Sequence, residues 1–127
     1  MAEAVKLSPA PIVTNQFEYH PYLNQTLLIE ECRRLNVSVT AYCGMAVGRV
    51  FGDPVLQEIG KAHGKSVAQV VLRWLLQQGV IALSHAVSPD HVTSNIQVFY
   101  FVLTRTEVAT IHGLAEANAR IVNPAGL

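Results

Sequence analysis

Three short β-branched, apolar runs, Ile12–Phe17, Val37–Cys43 and Val80–Ser84, are separated by segments with helical periodicity. This alternation constrains the fold more than any other feature of the chain. Parallel strands cannot be joined by a tight turn; they need a crossover connection, usually a helix. The runs read as continuously apolar, the pattern of strands covered on both faces. The order is strand, helix, strand, two helices, strand, then helices. It predicts an α/β fold with a parallel sheet of about three strands, right-handed crossovers and flanking helices. No repeat, low-complexity segment or internal boundary interrupts residues 1–127, which read as a single domain.

The helices announce their ends. The first is expected over Gln25–Leu35, with Asn24 as its cap and Leu27, Leu28, Cys32 and Leu35 on one face. Asp53-Pro54 is a cap followed by proline at the first helical position, and Gly64 ends that helix. Ser66-Val67-Ala68-Gln69 is a capping box; its helix stops at Gly79 and carries Trp74 on its buried side. Ser88-Pro89 opens a short helix through about Ile96, and Thr104 to Glu107 is a second capping box. Met1–Pro11 is short on pattern, Val98–Leu103 is ambiguous, and Asn118–Leu127 reads as loop.

Composition narrows the function classes. Nine basic residues balance nine acidic ones, and the basic residues are scattered, so no electrostatic footprint for nucleic acid or an anionic membrane is expected. No apolar run approaches the roughly 18 residues of a membrane span, and the N-terminal residues lack a signal-peptide pattern. The two cysteines, Cys32 and Cys43, fit reduced thiols in a cytoplasmic setting better than a disulfide framework. No metal site is expected: His85 and His91 lack the close spacing of familiar ligand pairs. Three parallel strands leave two exposed sheet edges. The expected remedy is a homodimer or higher oligomer through those edges; the alternative is a monomer whose own helices cover the sheet.

In folds of this class chemistry gathers where strands end. The first strand runs into Asn15-Gln16-Phe17-Glu18-Tyr19-His20. Glu18 and His20, two apart on extended chain, share a face and form an acid–base pair in principle. Gln16 and Asn15 also admit a plainer reading, pairing with backbone groups at a strand end. Tyr42 likewise reads, on its own, as core filling. Cys43 has no basic neighbour in the local sequence to activate it as a nucleophile.

The run Val13 to Gln25 resembles the aldo-keto reductase family. So do Val39-Thr40-Ala41-Tyr42, Asp53-Pro54-Val55-Leu56, His63 to Leu75, Asn95-Ile96-Gln97-Val98-Phe99 and Arg120-Ile121-Val122-Asn123-Pro124. The order is kept over nearly the whole chain, with the closest flavour that of the bacterial diketogluconate reductase type. The resemblance implies a partial (β/α) barrel corresponding to the C-terminal half of an aldo-keto reductase TIM barrel, from its sixth strand onward. The family's catalytic tyrosine, lysine, aspartate and histidine belong to the first half of the barrel, which nothing here resembles, so no catalytic residue is assigned. The implied reading is a truncated oxidoreductase-like chain that keeps part of the nicotinamide-cofactor half-site and is not a competent carbonyl reductase alone. A non-enzymatic oligomeric binding module around a small-molecule ligand, and one half of a split NADP(H)-dependent oxidoreductase, are the alternatives.

The same resemblance implies cofactor-binding roles. Gln16 matches the glutamine that bonds the carboxamide, Tyr42 the aromatic ring that stacks on the nicotinamide, and Asn95 the asparagine that bonds the adenine. His85 and His91 stand where the family places the lysine and arginine that grip the 2′-phosphate. A neutral imidazole lacks the charge and fork of a guanidinium. Cys43-Gly44-Met45-Ala46 replaces the family's Ser-Pro-Leu-Gly, and Ser94 replaces an acidic residue. These departures imply NADP(H) binding that is weakened or lost.

Overall fold

The computed structural model describes residues 1–83, 89–117 and 119–122. Three strands, β1 (Thr14–Glu18), β2 (Ser38–Tyr42) and β3 (Val80–Ala82), form one sheet in the order β1-β2-β3. Both pairings are parallel, with Gln16 opposite Thr40, Glu18 opposite Tyr42 and Thr40 opposite Ile81. The expected α/β class, the strand number and the flanking helices are all present.

The helices are α1 (Ala2–Leu7), α2 (Thr26–Arg34), α3 (Pro54–His63), α4 (Val67–Gln77), α5 (Pro89–Ile96) and α6 (Arg105–His112). Asp53 Oδ1 accepts from the N–H of Val55 at 2.9 Å, and Gly64 closes α3 at φ 63°, a conformation that glycine adopts without steric cost. Both capping boxes form: Ser66 with Gln69 on α4, and Thr104 with Glu107 on α6. Gly60 is required by space: a Cβ there would stand 2.6 Å from the Lys65 carbonyl oxygen.

Several boundaries and faces depart from expectation. β1 starts two residues later than Ile12 and includes Glu18. β2 excludes Val37 and Cys43, since Cys43 turns to φ 61°. β3 ends at Ala82; Ser84 and the Ser88 cap lie outside the described residues. The patternless N-terminus contains α1. Gln25, not Asn24, occupies the α2 cap position and makes no side-chain cap bond; Asn24 stands one residue earlier, its Oδ1 accepting from Thr26 N at 2.9 Å. Leu27 is exposed, not buried: at 100° per residue it stands opposite Ile29 and Cys32, which face the core.

One face of the sheet packs on the core, whereas on the other only Glu18 and Thr40 are buried. Phe17, Val39, Ala41 and Val80 point into a core shared with Ile29 and Cys32 of α2 and Val70, Val71, Trp74 and Leu75 of α4. Trp74 is buried as expected and packs against Tyr19, ring centroids 4.9 Å apart. The opposite face carries Thr14, Gln16, Glu18, Ser38, Thr40, Tyr42 and Ile81. It is largely polar, with the Thr14 and Thr40 hydroxyls bonded at 2.9 Å, and Gln16 and Ile81 are exposed on it. The expectation of strands buried on both faces is therefore corrected. Side chains alternate across a strand, and here the alternation separates an apolar core face from a polar open one.

Candidate cofactor half-site

The open face places two of the sequence-predicted residues together. Gln16 sits mid-strand on β1 and Tyr42 ends β2; the register makes them diagonal neighbours on one face. Gln16 is exposed and its amide has no hydrogen-bond partner among the described residues, so the plainer reading, that it satisfies backbone groups, does not hold. Asn15 points the other way and donates to Cys32 Sγ at 3.7 Å. Tyr42 is half-buried at the end of β2.

Asn95 lies on α5, half-buried, at an apolar groove of about 390 Å³ between α4, β3 and the segment after α5. Leu72, Leu76, Ile81, Val98 and Phe99 form most of its wall. His85 lies outside the described residues, as does the His91 side chain, although the His91 backbone belongs to α5.

The chain leaving β2 is strained. Cys43, Ala46 and Val47 all have positive φ, at 61°, 50° and 54°. Each such non-glycine residue costs on the order of 1–3 kcal/mol, and such residues cluster at ligand-binding turns. Sequence reading gave no sign of this. Burial raises the Cys43 thiol's pKa, as does the charge of Glu18, with only partial relief from the Val47 N–H. That disfavours the thiolate and agrees with a thiol that is not a nucleophile.

Glu18 and His20 form the pair anticipated from their spacing, with Nε2 2.8 Å from Oε2 and both side chains fully buried. Burial acts to raise the Glu18 carboxyl's pKa. Hydrogen bonds from the backbone of Ile121 and Val122 and from His20 outweigh it and hold the carboxyl below its ordinary value. Glu18 is thus a carboxylate with its lone pairs engaged, and it lacks the solvent or substrate access a general base needs.

The neighbouring tyrosines are no acids near neutral pH. Burial pushes Tyr19 up to about 12 despite the hydrogen bond with Gln78 and the charge of Arg33. Burial also raises Tyr22, reinforced by Asp53, which accepts its hydroxyl at 2.7 Å. The Arg49 guanidinium lies 3.8 Å over the Tyr22 ring and pairs with Glu116 at 2.6 Å. Among the described residues, no three His, Cys, Asp or Glu side chains group to hold a metal ion, and no helix is long and apolar enough to cross a membrane.

Residues 1–116 match the aldo/keto reductase family. The chain belongs to that family. It is similar to an aldo-keto reductase of Mycolicibacterium smegmatis, 40% identical over 111 residues, which are 87% of this chain and 39% of that protein. Among solved structures it resembles one described as a candidate 2,5-diketo-D-gluconic acid reductase B, with 54% identity and a TM-score of 0.94. That match covers 99% of this chain and 45% of the other. A mutant of Gox0644 in complex with NADPH is similar at 30% identity and a TM-score of 0.90, over 95% of this chain and 45% of that one. The aldo-keto reductase chain thus spans about two fifths of these relatives' length. Its three strands and helices form part of the (β/α) barrel that those structures complete.

Proposed function

We propose that this aldo-keto reductase chain carries the nicotinamide-facing part of a cofactor site and does not reduce carbonyls by itself. One observation carries the reading. The unpartnered Gln16 amide and the half-buried Tyr42 ring share the open face of two adjoining strands, in a chain similar to NADPH-bound structures. A primary amide offers both donor and acceptor to a carboxamide, and a tyrosine face accepts a stacked ring. The Gln16 amide is free to do so among the described residues, and the half-buried Tyr42 stands diagonal to it on the same face, which supports a fit of this end of the site to the group. In this reading Asn95, which lines the groove beside α5, would bond the adenine base. When bound, NADPH would supply a hydride; Gln16 would orient its carboxamide and Tyr42 would cover one face of its ring. No described group is placed as the proton donor that carbonyl reduction also requires. Histidines in place of lysine and arginine at positions 85 and 91 support a weakened grip on the 2′-phosphate, each lost charge-assisted bond being worth about 1.5–3 kcal/mol.

A titration of the purified chain with NADPH and NADH, followed by cofactor fluorescence, tests this. Saturable binding that Gln16→Ala and Tyr42→Ala each weaken at least tenfold is expected, with no carbonyl turnover. Binding unchanged by both substitutions, or robust turnover by the pure chain, would overturn it.

A second reading concerns partners. Both edge strands, β1 and β3, lack a further neighbour among the described residues, and Val13, Ile81 and Leu83 are exposed beside them. Unpaired edges and an uncovered face support self-association, or pairing with a complementary barrel half. Light scattering should give a mass above that of one chain. A clean monomer at high micromolar concentration would remove the self-association reading and leave the complementary half.

A further inference from the structure

We propose that Glu18 is a positioning residue: its buried carboxylate anchors the C-terminal segment at Ile121 and Val122 and fixes that segment's course at the mouth of the open face. Glu18 ends β1 directly opposite Tyr42 in the sheet register. Its Oε2 accepts the Ile121 N–H at 2.7 Å and its Oε1 accepts the Val122 N–H at 2.6 Å. Two consecutive backbone donors therefore meet the two oxygens of one carboxylate. His20 Nε2 makes the third contact, at 2.8 Å to Oε2.

Three features make this an anchor and not an incidental contact. Residues 119–122 belong to no helix or strand, so no ladder holds them, and the Glu18 bonds join them to a point 103 residues earlier in the chain. Charge-assisted bonds of this length are roughly twice as strong as neutral ones. The carboxylate is itself held from behind. His20 is fully buried, and its Nδ1 has no partner among the described residues, so Glu18 is the imidazole's hydrogen-bonding contact. A buried carboxylate persists only when its lone pairs are met, and here the tail supplies two of the three donors.

Arg120 is exposed and immediately precedes the anchored Ile121, so trypsin release of residues 121–127 reports on the anchor. Glu18→Gln keeps the side-chain volume but sets an NH2 group against a backbone donor and removes the charge. Release should accelerate about tenfold or more, and amide exchange at Ile121 and Val122 should accelerate with it, while Val39 and Val71 keep their protection. Unchanged release from folded Glu18→Gln protein would overturn the anchor. So would a uniform loss of protection, which marks a core-packing role. Should Glu18→Gln fail to fold, Val122→Pro decides: it removes one donor from the tail and leaves β1 untouched. Faster release from that variant supports the anchor, and unchanged release rejects it.

Discussion

Tyr22 and Asp53 are joined by a 2.7 Å hydrogen bond between the phenol and Oδ2, while Oδ1 of the same carboxylate caps α3. One side chain thus fastens the turn after β1 to the start of a helix that begins some thirty residues later. Asp53→Ala removes the cap, which costs about 0.5–2 kcal/mol, and leaves the Tyr22 hydroxyl unpaired, which costs about 1–3 kcal/mol. Tyr22→Phe removes the phenol bond alone and should cost near 1 kcal/mol. Urea unfolding of both single variants and the double variant checks this. The cycle should show coupling, because the Asp53→Ala cost shrinks once Tyr22 is phenylalanine. Strict additivity would mean that the bond contributes nothing.

Gly60 of α3 faces the Lys65 carbonyl so closely that no Cβ fits. Alanine is ordinarily the better helix former by about 1 kcal/mol. Here Gly60→Ala should instead destabilise by about 1–3 kcal/mol through overpacking. A shift of the urea midpoint to higher concentration would contradict that close approach.

The rotation of α2 makes a paired prediction. Ile29→Ala empties a core position and should cost about 2–5 kcal/mol, whereas Leu27→Ala, on the exposed side, should stay within about 0.5 kcal/mol. Thermal melts of the two variants are sufficient. Equal losses would place Leu27 in the core after all.

Acid should unfold the chain through two carboxylates. Glu18 and Glu107 are both held below the ordinary value of 4.5. For Glu107 burial opposes the shift, but the Thr104 backbone N–H and His63 Nε2, at 2.8 Å, outweigh it. Because their folded pKa values are depressed, the unfolded chain binds more protons as pH falls below about 4.5. The stability they contribute is present above that value and disappears as pH drops through the folded values. The melting temperature should therefore fall steeply below about pH 4.5, and Glu107→Gln should flatten part of that limb. A profile identical in wild type and variant would show that Glu107 does not take part.

The sequence by itself determined the parallel α/β class, the capped starts of α3, α4 and α6, and membership of the aldo-keto reductase family. Those features depend on local chemistry: side-chain oxygens meet orphan N–H groups within three residues, and apolar periodicity follows the backbone repeat. It also placed Tyr42 at a strand end and Glu18 two residues from His20 on extended chain, whereas Gln16, expected near the end of its strand, lies in the middle of β1. Tertiary structure alone decided which side of each strand meets the core. That choice left Gln16 exposed and turned Asn15 inward, because two adjacent residues on a strand always point opposite ways. It likewise decided the rotation of α2 that exposes Leu27, the left-handed turn after β2, and the engagement of Glu18 by backbone groups more than one hundred residues away. Such relations depend on contacts distant in sequence, and no local pattern of residues encodes them.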